Sequence, residues 1–251
     1  ISHGPWGTIY AAGTLSSALL MLIAGGIPDR YAARPVTLLI MSFLALSCIS
    51  MALCSKIWLL PIIIFGLRFC GQGMLGHLAM VFAGRWFHKN RGKTIAITSL
   101  GLSASEACLP FLFVTIMGFV GWRWSWGLAA ITVLILLIPI TILLGKERNP
   151  QEAGDGNESH LTGMLSMHWT RQQVLRNWVF WLALPALMIQ PIFSTTFFFQ
   201  QVYFTEIKGW SLGDFVSLLP IYTFTSLSGL FLGGVIIDRF RVSFLLPIYL
   251  I

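Results

Sequence analysis

The sequence predicts an all-α integral membrane protein, and three observations support this prediction. Hydrophobic residues make up 56% of the 251-residue chain, and the mean hydropathy is +0.80. Charged residues make up only 10%, whereas a soluble domain carries about 25%, so the chain lacks the polar surface to cover a globule. Apolar runs follow one another along the chain, each of about the length that a helix needs to cross a bilayer.

Seven of these runs have full spanning length, and an eighth begins near residue 242 and is cut short by the end of the chain. Backbone groups in lipid must form hydrogen bonds within their own segment, so each run is expected to be a helix. Strands of a membrane barrel would be shorter and would alternate in polarity. The seven runs cover residues 5–27, 36–55, 57–87, 94–120, 124–144, 178–204 and 212–237.

The basic residues between the runs predict the orientation of the chain. Twelve lysines and arginines lie in one set of alternating connections, three lie in the opposite set, and Arg68 lies within a run. Cytoplasmic loops carry the excess of Lys and Arg, so the larger set predicts the cytoplasmic side of the inner (plasma) membrane. The net charge of +7 therefore indicates orientation in the bilayer, and we expect no nucleic-acid partner.

The longest polar stretch, 145–177, falls on that cytoplasmic side and predicts a linker. It separates a first bundle of spans at 1–144 from a second bundle at 178–251. Within it, Thr170 and Gln173 have the spacing of a capping box, which predicts a helix leading into the next span.

One short motif suggests dinucleotide binding, but its position in the chain excludes that function. Residues 71–76, GQGMLG, match the G-x-G-x-x-G fingerprint of dinucleotide-binding folds, which requires a strand before it. Here the motif lies inside the run 57–87, so we expect no cofactor and no enzyme activity. At 100° per residue, Gly66 and Gly73 lie on one stripe of small residues that lets a neighbouring helix approach closely, and Gly76 is assigned to helix packing as well.

Metal chemistry is not predicted either. The four cysteines all lie in apolar runs and show no C-x-x-C pairing or metal-ligand spacing. Buried, inert thiols are the expected interpretation.

Two segments repeat each other at the cytoplasmic ends of the first and seventh runs. Residues 25–31 read GGIPDRY, and residues 233–240 read GGVIIDRF. Many transporters are built from internal repeats. Glycine allows helices to pack tightly, and an Asp–Arg pair can bind a neighbouring helix end, so the repeat predicts a cytoplasmic gate. Its predicted residues are Gly25, Asp29, Arg30, Gly234, Asp238 and Arg239.

On these residues the chain resembles the major facilitator superfamily. That family carries G-x-x-x-D-R-x-G-R-R after its second helix and a weaker copy after its eighth. The segment Arg68-x-x-Gly71-Gln72-Gly73 is similar to the pattern of the family's fourth helix. The resemblance implies a partial bundle, about seven full spans and a truncated eighth of an expected twelve, and a monomer when full length. It also implies secondary transport of a small molecule by alternating access.

Within that family the chain is most similar to bacterial carriers of the monocarboxylate or oxalate–formate type. Residues 171–181, RQQVLRNWVFW, resemble the entry into that group's seventh helix. One departure is clear: the eighth-helix charges of such carriers are missing from 212–237, which holds only Asp214 at its outer end.

Charged side chains inside spans are costly and mark functional sites, which singles out Arg68 and Glu106. At 1.5 Å per residue, Arg68 lies about 16 Å from the outer end of its run and Glu106 about 20 Å from the inner end of its own. In a core about 30 Å thick these depths roughly coincide. In one interpretation Arg68 attracts an anionic substrate and Glu106 exchanges a coupling proton in a central cavity. In the other, the two form a structural ion pair.

Four glutamine and serine side chains are candidates to line the same cavity, and hydrogen bonds between helices are the alternative role for each. They are Gln72, Gln190, Ser194 and Gln201. The sequence thus predicts a multi-pass symporter of a small organic anion, with the solute, protons and the lipid bilayer as its partners. The alternatives are an efflux carrier of amphiphilic drugs and a non-transporting membrane sensor.

Overall fold

The computed structural model describes residues 3–86, 91–144 and 170–239, and every regular element in these ranges is a helix. The all-α class is therefore confirmed. Apolar side chains face outward on these helices, for example Phe119 (86% exposed) and Ile23 (79%), as a lipid-facing surface allows. Five helices within these ranges are long and apolar enough to cross a membrane: Trp6–Ala24, Ala33–Leu53, Ile57–Gly84, Ile97–Val120 and Trp122–Leu143.

The chain divides into two compact units. The first comprises Ile1–Ser105 and Leu112–Gly154, and the second comprises Glu106–Phe111 and Asp155–Ile251. Residues 145–169 of the predicted linker lie outside the described part of the chain, as does the predicted eighth run from 242. The division into bundles at 145–177 stays a prediction.

The helices of the first part of the chain are interrupted twice by wider π-helical turns. The α-helices are α1 (His3–Ala24), α2 (Ile27–Arg30), α3 (Ala33–Leu53), α4 (Leu60–Leu67), α5 (Gly76–Trp86), α6 (Arg91–Val120), α7 (Trp122–Ile131) and α8 (Ile138–Leu144). A 3-10 turn at Ile57–Leu59 precedes α4, a first π segment at Arg68–Leu75 joins α4 to α5, and a second π segment at Thr132–Leu137 joins α7 to α8. Gly121 separates α6 from α7 with φ +82°, a conformation that glycine adopts readily.

Helix α1 packs in parallel against the span formed by α4, the first π segment and α5. A Cβ added to Gly13 would lie 2.8 Å from the Pro61 carbonyl oxygen and 2.9 Å from Ile64. Further along, a Cβ on Gly73 would lie 3.1 Å from the sulfur of Met21. These contacts advance in the same direction on both helices, so the helices run parallel. The glycines at the contacts allow the two backbones to approach closely.

Helix α3 lies antiparallel to the same span. A Cβ on Gly66 would collide with the Ser47 hydroxyl, and one on Gly71 would lie 3.5 Å from Leu44. Side chains of α1, α3, the first π segment and α5 together form a buried apolar cluster. Its members are Ala24, Val36, Ile40, Cys70, Met74, Leu78 and Phe82.

The predicted single stripe of small residues is not what the structure contains. Gly66 meets α3, whereas Gly73 meets α1, and a Cβ on Gly76 would meet no atom within 4 Å. The prediction assumed 100° per residue throughout. The π segment between Gly66 and Gly76 has i→i+5 geometry and a wider turn. Residues after it therefore face a different direction around the helix axis than a spacing of 100° per residue predicts.

Helix α3 is also bound to the α7–α8 span at both ends, by two hydrogen bonds that we call the arginine clamp. The Nη2 of Arg34, at the start of α3, donates to the carbonyl of Ile142 at 2.8 Å. The Nη1 of Arg123, at the start of α7, donates to the carbonyl of Ala52 at 3.2 Å. Each arginine thus supplies a donor to the last turn of its antiparallel neighbour, where carbonyl groups have no partner within their own helix.

The second part of the chain contains shorter helices than the sequence predicted. They are α9 (Arg171–Arg176), α10 (Trp178–Phe199), α11 (Gln201–Lys208), α12 (Leu212–Ser217) and α13 (Leu219–Arg239). The run 178–204 is interrupted at Gln200, which has φ −86° and ψ 4°. The run 212–237 is interrupted at Leu218, after a capping box between Ser211 and Asp214. The first break falls at the polar pair Gln200 and Gln201 and the second in the mainly apolar stretch around Leu218, and hydropathy averaged over a spanning length did not locate either.

The entry into α10 is held by a set of local hydrogen bonds that we call the elbow. The predicted capping box is present: the Thr170 amide donates to Gln173 Oε1 at 2.8 Å, and the Gln173 amide donates to Thr170 Oγ1 at 3.4 Å. The Trp181 indole then donates to the Leu175 carbonyl at 2.8 Å. The end of the linker is therefore fixed to the start of α10.

Candidate functional site

The site begins at the first π segment, which occupies the middle of the span Ile57–Gly84. A π turn replaces the i→i+4 hydrogen bonds of an α-helix with i→i+5 bonds, and such turns occur frequently at functional sites. Arg68 is the first residue of the segment. A charged side chain is thus located where the helix departs from regular geometry.

The Arg68 guanidinium contacts two neighbours. Its Nη1 donates to Oε1 of Gln72, which lies four residues further along the same segment. Its Cζ lies 4.7 Å from the ring centroid of Tyr10 on α1, a distance at which a cation is attracted by the ring. Arg68 and Tyr10 are partly buried, and Gln72 is exposed. The structure therefore brings Arg68 and Gln72 together and adds Tyr10.

Within the part of the chain that the structure describes, Arg68 has no carboxylate partner. Both of its neighbours are neutral. A guanidinium inside a span is costly unless it is compensated, and a π face with one amide oxygen compensates it only in part. With respect to the described residues, Arg68 therefore keeps hydrogen-bond donors that an anion could use.

The other predicted site residues are placed as follows. The backbone of Glu106 lies in α6 and that of Gln190 in α10, but their side chains lie outside what the structure describes. Ser194 is partly buried on α10. Gln201 begins α11 after the break at Gln200, so it lies on a different helix from Gln190 and Ser194.

Phe197, which the sequence places near these polar residues, belongs to an aromatic cluster in the second unit. Its ring centroid lies 5.8 Å from that of Phe204 on α11 and 5.6 Å from that of Phe215 on α12. Phe198 makes an edge contact with Tyr222 at 5.6 Å. These rings join four helices, α10 to α13, so packing accounts for them.

The first copy of the predicted gate motif is anchored to α5. The carbonyl of Gly25 lies 2.9 Å from Nε2 of His77, and since a carbonyl only accepts, that nitrogen carries the proton in this contact. Arg30 ends α2 and is exposed. The side chains of Asp29, Asp238 and Arg239 lie outside the described part, while the backbone of Gly234 continues α13.

Sequence reasoning missed Tyr10 and the bond between His77 and Gly25. Both contacts join side chains or backbone of α1 to a helix more than 50 residues away, and no spacing within one helix signals such a pair. The available signal for Tyr10 was its place as the only tyrosine in the span Trp6–Ala24. Among the described residues, no group of three His, Cys, Asp or Glu side chains is arranged to hold a metal ion.

Comparison with known families identifies the class of protein. The model of the Major Facilitator Superfamily matches residues 1–251, which is the whole chain. No curated protein and no solved structure matches the chain. The chain therefore belongs to the major facilitator superfamily, a family of secondary transporters of small molecules, and it is a multi-pass membrane protein.

Proposed function

We propose that this member of the major facilitator superfamily carries a small organic anion together with a proton by alternating access. Arg68 would bind the anion and Glu106 would exchange the proton. The observation that carries the proposal is the state of Arg68: a guanidinium about 16 Å inside a span, with a neutral ring and a neutral amide as its described neighbours.

Electrostatics supports an anion as the cargo. A cation in a medium of low dielectric constant interacts with an opposite charge far more strongly than it does in water. Arginine also presents a planar fork of N–H donors that matches a carboxylate. An anion that enters the site would supply the charge that Tyr10 and Gln72 do not supply.

The two glycine-aspartate-arginine segments would form the cytoplasmic gate in this proposal. Gly25 supports that role through its contact with His77, which ties the end of α1 to the neighbouring span. The linker 145–177 would lie on the cytoplasmic side of the plasma membrane, as the distribution of basic residues suggests. The carrier would be a monomer, as the family resemblance implies.

The test uses the full-length carrier in liposomes that contain a pH-sensitive dye. Small carboxylates are added outside at fixed voltage, and acidification of the lumen is compared with that of empty liposomes, because weak acids also cross lipid unaided. Anion–proton symport should accelerate acidification, and Arg68→Gln should abolish the gain. Arg123→Gln, which removes a guanidinium at the outer end of α7, should retain it.

A folded carrier that gives no acidification with any carboxylate would contradict the proposal. Transport of amphiphilic drugs in the same vesicles would then favour the efflux alternative. A chain that moves neither class of solute, yet binds one, would favour a sensor.

A further inference from the structure

We propose that Tyr10 and Gln72 are positioning residues that orient the Arg68 guanidinium, so that it receives one carboxylate along its Nε–Nη2 edge. This inference rests on the proposed function, since it assigns roles within the same site. It concerns how the anion is recognised, which Arg68 alone does not determine.

The hydrogen bond to Gln72 selects the edge. A guanidinium carries five N–H donors in one plane. Nη1 lies on the side of Cδ, so the bond from Nη1 to Gln72 occupies that side of the fork. Nε and Nη2 form the opposite edge, with two parallel N–H donors. No described residue accepts a hydrogen bond from that edge.

The ring of Tyr10 restricts the guanidinium further. Cζ lies over the ring at 4.7 Å from its centroid, and this contact limits rotation about the last bonds of the arginine side chain. A long arginine loses rotamer freedom when it binds a ligand. Contacts that restrict it beforehand reduce that loss, which is the general benefit of preorganisation.

The π segment gives both contacts a structural origin. In this segment Gln72 follows Arg68 by four residues within i→i+5 geometry. The Gln72 amide binds Nη1, and among the described residues no acceptor is bound to Nε or Nη2. Helix α1 is held close to this span at Gly13 and Gly73, which brings Tyr10 within reach.

The shape of the open edge specifies the class of ligand. Two parallel N–H donors match the two oxygens of a planar carboxylate in a bidentate pair. A halide or a linear anion carries the charge but lacks the second oxygen. We therefore infer that the site recognises a carboxylate by geometry as well as by charge.

The experiment measures KM and maximal rate of carboxylate transport by the full-length carrier in liposomes. Tyr10→Leu should raise KM between about twofold and about thirtyfold, the range that cation–π energies imply, and should change the maximal rate little. Tyr10→Phe should restore KM because the ring is kept. The matched control is Trp58→Leu, which removes the exposed pair of Lys56 and Trp58 and should leave KM unchanged.

Gln72→Glu provides an independent test at an exposed position. It places a carboxylate on the arginine itself, so it should compete with the substrate and raise KM at least about tenfold, or about 1.4 kcal/mol. Thermal unfolding of each variant shows whether it is folded. Gln72→Glu also serves if Tyr10→Leu does not fold.

The failure of this inference and the failure of the proposed function are distinguishable. A wild-type carrier that moves no carboxylate overturns the proposed function and this inference with it. A carrier that moves carboxylates with the same KM in folded Tyr10→Leu or Gln72→Glu overturns the inference alone. A Tyr10→Phe variant as impaired as Tyr10→Leu also overturns it, because the hydroxyl rather than the ring would then be required.

Discussion

Arg34 and Ile142 are 108 positions apart in the chain, and the guanidinium of the first donates to the carbonyl of the second at 2.8 Å. At the other end of the same helix pair, Arg123 donates to Ala52 at 3.2 Å. The two bonds run in opposite senses, from the start of each helix to the end of its neighbour. They hold α3 and the α7–α8 span in one register.

The arginine clamp leads to a prediction about stability. Arg34→Gln and Arg123→Gln should each lower the free energy of unfolding by about 1 kcal/mol, the usual net contribution of one hydrogen bond. The effects should add in the double variant, because the sites lie at opposite ends of the pair. Thermal unfolding of the full-length protein in detergent measures both. Strong non-additivity would contradict two independent end contacts.

The close approach of α1 to α4 predicts opposite effects for two glycines. Gly13→Ala should destabilise the protein by about 1–3 kcal/mol, because its Cβ would overlap the Pro61 carbonyl and Ile64. Gly76→Ala should be neutral or should stabilise by about 0.5–1 kcal/mol, since its Cβ meets nothing within 4 Å and alanine favours a helix over glycine. Melting temperatures of the two variants, compared side by side, provide the test. Equal stabilisation of the two variants would show that helix propensity, and not packing, governs both positions.

The proposed proton site predicts a separation of two transport modes. Glu106→Gln should retain exchange of labelled anion for unlabelled anion across the membrane, because exchange needs no net proton movement. Anion uptake driven by a pH gradient should be lost. The matched control is Glu206→Gln, a carboxyl group on α11 outside the proposed site, which should retain both modes. Retention of gradient-driven uptake in Glu106→Gln would exclude this carboxyl as the coupling group.

The elbow predicts a local effect at the end of the linker. Trp181→Phe removes the donor to the Leu175 carbonyl and should accelerate hydrogen exchange of the α9 amides about fivefold, equivalent to about 1 kcal/mol. Trp178→Phe is the control, because that indole is 72% exposed and makes no such bond. Unchanged exchange in Trp181→Phe would mean that the capping box alone maintains α9.

Features with a local cause were predictable from the sequence. The first five spans follow from apolar length, and the helix start at Thr170 follows from the spacing of a capping box. Membership in the superfamily follows from motifs that the family model also matches. In each of these cases the residues that determine the feature are close together in the chain.

Features that depend on non-local packing or on helix geometry were not predictable. The directions that Gly66, Gly73 and Gly76 face around the helix axis depend on the π segment. The sequence of that segment carries no distinct signature of i→i+5 bonding. The break at Gln200 lies in a run that is apolar on average, and two adjacent glutamines do not by themselves signal a helix end. The contact between Arg68 and Tyr10 requires the packing of α1 against α4, which pairwise spacing within either helix does not encode.

The arginine clamp also has a consequence for the order of biosynthesis. Ala52 leaves the ribosome 71 residues before its partner Arg123, and Arg34 leaves 108 residues before Ile142. At about 5–20 residues per second, Arg34 waits about 5–20 s for its acceptor. Until Arg123 is synthesised α3 lacks both of its end contacts, and until Ile142 is synthesised it lacks the contact of Arg34. The last span of the first unit therefore completes a helix that was synthesised long before it, and a chain interrupted before Arg123 would leave α3 with neither end of the clamp closed.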